Sequence, residues 1–170
     1  MPSEPALTSA QRALVEAAAR KAFVLYEGKV VRHRSCGIAL AQTFNLPHRP
    51  YQALRKGGLT GMGECGAIKA GELVLGEFFG DPDPAGAPTE ILRGAAKDYQ
   101  ERIVQRVSRG ASPDYRCNNL TAQFGDFASP ARCNFCTSIA SDVARTVAEI
   151  VLERGGTFEI TPVVPENLAR

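Results

Sequence analysis

The sequence predicts an all-α fold, a bundle of about five to six helices with an extended C-terminal tail, and three observations lead there. Apolar residues recur near a 3.6-residue period in several long windows. Strand-like alternation is almost absent. The windows are bounded by helix caps and proline or glycine breakers, not by hairpin turns. At 170 residues, 44% apolar and 22% charged, the chain suits one domain with its own core. No internal repeat or low-complexity tract divides it, so residues 1–156 read as a single helical unit and 157–170 as the tail.

The elements follow in order. Thr8 and Gln11 have capping-box spacing, and Leu14, Val15, Ala18, Ala22 and Leu25 continue at helical intervals until Gly28 ends the run. A short second helix starts near Ser35, carries Cys36, Ala39, Leu40 and Phe44, and stops before Pro47. A third runs from about Glu64 to Phe79, after which GDPDPAGAP is a loop by its proline and glycine content. Residues 89–108 form a polar amphipathic helix with Ile91, Ala95, Tyr99, Ile103 and Val107 on one face. Ser129 as N-cap and Pro130 at the first helical position start the last helix, whose apolar stripe runs through Ile139, Val143, Val147, Ile150 and Val151 to Gly155 and Gly156. The stretch TFEITPVVPENLAR is extended by composition.

Composition narrows the function. A formal net charge of +2 gives no reason to expect nucleic acid or a membrane surface as partner. The N-terminal stretch has no basic-then-apolar leader pattern, and no apolar run approaches the ~18 residues of a membrane span. These features lead us to expect a soluble cytoplasmic protein. Five cysteines in a reducing compartment argue for metal ligation or redox chemistry over a disulfide scaffold, with small buried hydrophobes as the plain alternative.

The cysteines differ in setting. Residues 57–71, GGLTGMGECGAIKAG, place Cys65 where a glycine-rich loop becomes a helix, whose positive end favours a thiolate. Gly61 and Gly63 let the preceding backbone approach closely to another helix or to a bound group. Gly66, Ala67, Ala70 and Gly71 leave one flank of that helix nearly bare, which calls for tight packing or for something bulky beside Cys65. Cys133 and Cys136 form a C-x-x-C at a helix start, on roughly one face; Thr137 follows where haem attachment needs histidine. Cys36 follows Arg32, His33 and Arg34, and Cys117 follows a loop around Pro113. No acid–base constellation stands out, so whether the chain is an enzyme is open.

At these residues the chain resembles the family of redox-active proteins with a C-GCAxxG-C-C cysteine pattern. Cys36 with its short helix is similar to the first cysteine of that pattern, and GGLTGMG with Cys65-Gly66-Ala67 to the central motif. Cys117 with Leu120-Thr121 is similar to the third, and Cys136, spaced to Asp142 and Val143, to the fourth. The likeness spans roughly residues 30–154; Ala70 and Ala122 stand where the pattern has glycine, and Cys133 is an extra. The same domain is similar to the cysteine domain of split-Soret cytochromes, where it accompanies an iron–sulfur centre. The resemblance implies a redox role, with Cys36, Cys65, Cys117 and Cys136 as ligands of one cluster, [2Fe–2S] in type, and Cys133 as the alternative ligand.

Iron–sulfur clusters and zinc accept four thiolates about equally, so a structural zinc site stays open beside the cluster, as does a metal-free thiol–disulfide protein. The cluster reading implies a redox partner protein and leaves a homo-oligomer open.

Overall fold

The computed structural model describes residues 6–166, and among them the architecture is all-α: seven helices, one 3-10 segment and a single isolated bridge, with no strand. The helices are α1 (Ser9–Glu27), α2 (Cys36–Thr43), α3 (Arg55–Gly58), α4 (Gly66–Phe79), α5 (Glu90–Arg106), α6 (Cys117–Ala122) and α7 (Pro130–Glu153), with the 3-10 segment Pro50–Leu54 leading into α3. Among the described residues, no helix is long and apolar enough to cross a membrane.

The cap residues act as their chemistry requires. Thr8 Oγ1 accepts from the Gln11 N–H at 3.1 Å, Gln11 Oε1 accepts from the Thr8 N–H at 2.9 Å, and Gly28 closes α1 at φ 82°. Ser129 Oγ accepts from the Arg132 N–H at 3.2 Å with Pro130 next to it, the N-terminal arrangement that satisfies one orphan donor and wastes none.

The bundle is organised around α7, which packs against α1, α2, α4 and α5. A helix enclosed on so many sides needs a small-residue surface. Ala140, Val143, Ala144, Val147, Ala148, Ile150 and Val151 are wholly buried, and α1 meets them with the equally buried Ala18 and Ala22.

Three details differ from the sequence expectation. The third long helix begins at Gly66 instead of Glu64, because Glu64 bridges Arg116 and the Cys65 N–H donates to Tyr115 O at 2.8 Å, which keeps that segment extended. Ile91 is exposed at the start of α5, leaving Ala95, Tyr99, Ile103 and Val107 as the buried face. The segments at 50–58 and 117–122 are helical although neither shows a usable period; α3 is a left-handed turn, with Lys56 at φ 46°, Gly57 at 56°, Gly58 at 72° and the following Leu59 at 70°.

The tail is extended as expected, and residues 157–166 dock on the α1–α2 side. Lys21 Nζ donates to Thr161 Oγ1 at 2.9 Å and to Asn45 Oδ1 at 3.1 Å, Asn45 Nδ2 donates to Glu159 O at 2.9 Å, and Phe158 meets Phe44 edge-on with centroids 5.2 Å apart. Residues 167–170 lie outside the described residues.

The bare flank of α4 has a packing explanation at Gly71. A Cβ there would lie 2.6 Å from Cζ of the fully buried Tyr99, whose hydroxyl donates to Ile68 O at 2.7 Å. Gly76, in the same helix, faces open space. Gly71→Ala should therefore lower stability by about 1–3 kcal/mol through overpacking. Gly76→Ala should raise it by up to about 1 kcal/mol through helix propensity. Urea unfolding of the two variants checks the contrast, and equal effects would show that Tyr99 yields freely.

Candidate metal centre

All four cysteines singled out by the pattern stand at or near a helix start. Cys36 is the first residue of α2, Cys65 the N-cap of α4, Cys117 the first residue of α6, and Cys136 lies in the second turn of α7. Backbone pairing joins two of these starts. Besides the Cys65 N–H on Tyr115 O, the Cys117 N–H donates to Gly63 O at 3.0 Å and the Asn118 N–H to Gly61 O at 2.9 Å. The α2 start is brought to the same place by a close approach of bare backbone, since a Cβ on Gly66 would lie 2.7 Å from Cys36 Sγ and would also strike Leu54 O.

The result is a cavity of about 270 Å³ whose wall includes Cys36, Cys65, Cys117 and Cys136 together. Cys133 is not in that wall. Cations border it at Arg55, Lys56 and Arg132, and no carboxylate does. Phe127, 44% exposed, stands between the cavity and solvent with Lys56 Nζ 5.2 Å and the Arg132 guanidinium 4.2 Å from its ring centroid. Among the described residues, no three His, Cys, Asp or Glu side chains converge tightly enough to hold one metal ion. The four sulfurs are thus spread around a space, not drawn to a point.

The glycines of the loop divide their work. Gly66 lines the cavity, whereas Gly61 and Gly63 do not. Their N–H groups donate to Lys56 O at 2.8 Å and Gly57 O at 3.0 Å, while their carbonyls hold the start of α6. Their close approach is therefore to the Cys117 segment. Gly57 shares it: its φ of 56° lies in the left-handed region that glycine adopts without strain, and a Cβ there would lie 2.6 Å from Cys117 Cβ.

Burial pushes all four cavity thiols above their ordinary range, Cys117 to about 11, and the neighbouring sulfurs add to the effect at Cys36, Cys65 and Cys117. Some groups oppose it. The N–H groups of Gly37 and Lys56 face Cys36, those of Ala67 and Ile68 face Cys65, and Arg132 and Tyr26 favour the thiolate of Cys136. The donor set fits a thiolate-bound cofactor: four sulfurs that burial keeps protonated, backbone donors aimed at two of them, and cationic walls. A bound metal would make such thiols release their protons.

Two residues of this site escaped the sequence reading. Arg132 is one helical turn before Cys136 and only 8% exposed, and Tyr26, on the buried face of α1, reaches it from across the bundle. The i, i+4 spacing of Arg132 and Cys136 is the signal that could have found the first; nothing local announces the second.

The thiol shifts predict a pH dependence for the chelator-treated, reduced protein. The folded chain holds the Cys117 proton more tightly than the unfolded one, 9.0 moving to about 11, so this stabilising contribution is complete below pH 9.0 and is lost as pH rises through about 11. Urea midpoints should fall over that interval, and Cys117→Ser should flatten part of the fall. A metal-loaded sample, its thiols already deprotonated, should lack that part.

Comparison of the chain with family models, curated proteins and solved structures returns no match. The functional reading rests on the cavity's own geometry and chemistry.

Proposed function

We propose that this protein binds an iron–sulfur cluster, [2Fe–2S] in type, through Cys36, Cys65, Cys117 and Cys136, and serves in single-electron transfer with a partner protein. One observation carries the reading: four cysteines spread over a hundred residues of sequence line one buried cavity, and the fifth, Cys133, does not. Backbone N–H groups directed at two of the thiols and a cationic wall suit a cluster, whose sulfides and thiolates accept such donors and carry net negative charge.

The chain's residues supply what such a centre needs. The four cysteines would hold it as thiolates. The N–H groups of Gly37, Lys56, Ala67 and Ile68 stabilise negative charge on Cys36 and Cys65 without contributing a charge of their own. The apolar wall at Ala67, Leu120 and Phe127 limits water. When bound, the cluster supplies a one-electron couple. The solvent-facing part of the wall, His33, Arg55, Lys56 and Phe127, is basic and apolar, which suits a partner with an acidic docking face.

Anaerobic purification tests the proposal directly. The protein should be brown, with visible absorption, iron and acid-labile sulfide. Serine at any of Cys36, Cys65, Cys117 or Cys136 should cost most of the bound iron, while Cys133→Ser should keep both iron and spectrum. A colourless protein with stoichiometric zinc would replace the cluster by a structural zinc site, and a colourless, metal-free one would leave a thiol protein. Loss of iron in Cys133→Ser with retention in Cys136→Ser would reverse the assignment within the C-x-x-C.

A further inference from the structure

Arg132 is a buried cation without a carboxylate partner among the described residues. Its Nε donates to Phe127 O at 2.6 Å, its Nη1 to Tyr26 Oη at 3.2 Å and its Nη2 to Cys133 Sγ at 3.3 Å, and its plane lies against the Phe127 ring. Among the described residues no Asp or Glu lines the cavity it borders. It also sits in the first turn of α7, next to the positive end of the helix dipole, where a cation is disfavoured. A buried charge left uncompensated is among the costliest features a fold can carry. The same chain pairs its other well-buried arginine, Arg102, with Glu153 at 2.6 Å and with Asp98 and Glu149 at 3.6 and 3.5 Å. Arg132 therefore calls for negative charge in the cavity itself.

We infer that Arg132, steadied by the hydroxyl of Tyr26, is the internal counter-charge of the cysteine centre and sets its reduction potential. The inference rests on the cluster reading. A four-thiolate cluster is anionic, and reduction adds one electron, drawn from a donor protein, with no bond made or broken. A fixed positive charge beside Cys136 favours the reduced form. The charge acts from a buried position, so salt screens it weakly. Arg55, in the same wall but exposed, should act less and be screened more. Tyr26 is a positioning residue here: its hydroxyl holds one arm of the guanidinium and also faces Cys136.

The test is potentiometric titration of the intact, anaerobically purified protein, with iron and sulfide measured on every sample. Arg132→Gln should keep iron yet shift the midpoint potential negative, and the shift should persist at high salt. Arg132→Lys should restore most of the native potential, Tyr26→Phe should shift it less than Arg132→Gln, and Arg55→Gln should give a small shift that salt removes. An iron-loaded Arg132→Gln with the native potential overturns the inference. If Arg132→Gln cannot hold iron, Arg132→Lys decides: retained iron supports the charge role, and loss in both variants reduces Arg132 to packing and overturns it. Native protein without iron and sulfide would sink the cluster reading and this inference with it, a result visible before any variant is made.

Discussion

The cavity depends on a short strip of backbone pairing between residues 61–65 and 115–118. Three N–H···O bonds of 2.8 to 3.0 Å tie the extended approach to α4 against the start of α6, and they fix Cys65 and Cys117 as neighbours. The strip is half-buried, with Met62, Glu64, Arg116 and Asn118 turned to solvent, and the pairing satisfies the backbone groups that face inward. Gly57 and Gly61 leave room for Cys117 and Asn118, and Gly63 leaves room for the Gly57 carbonyl. The left-handed turn that precedes them places Lys56 and Leu59 in a conformation costing about 1–2 kcal/mol per non-glycine residue, a strain tolerated beside the proposed site, where the Lys56 N–H faces Cys36.

Much of the scaffold was legible because it is written in local chemistry. The capping box at Thr8, the Ser129-Pro130 start and the left-handed Gly28 stop depend on residues within a few positions of one another. The grouping of Cys36, Cys65, Cys117 and Cys136 apart from Cys133 was likewise readable as a pattern. The rest depends on contacts between distant segments. The left-handed turn at Lys56–Leu59 is tied into the strip by the Gly61 and Gly63 N–H groups, which donate to Lys56 O and Gly57 O. The six-residue α6 is too short to show a period. Arg132 has no local signal beyond its spacing to Cys136, and only the fold shows that it is enclosed with Tyr26 and Phe127.

The site holds two opposed tendencies in balance. Burial disfavours thiolates, which protects the sulfurs from solvent chemistry but also holds their protons on. Backbone donors at Cys36 and Cys65 and the cation near Cys136 work the other way. The proposed cluster would meet both tendencies, since it would bring metal cations to the sulfurs and place its net negative charge beside Arg132.

The position of α7 has a consequence for how the chain comes to be folded. The helix on which α1, α2, α4 and α5 all lean is the last among the described residues, and its longest seam is with the first. Ser141 Oγ donates to Ala19 O across 122 residues. During vectorial synthesis the faces that α1, α2, α4 and α5 turn toward α7 stay uncovered until that helix is made. Contacts of such long range slow folding and expose sticky surface to other chains. Cys136 is carried by α7 itself, so it can join Cys36, Cys65 and Cys117 in one cavity only after that helix is in place.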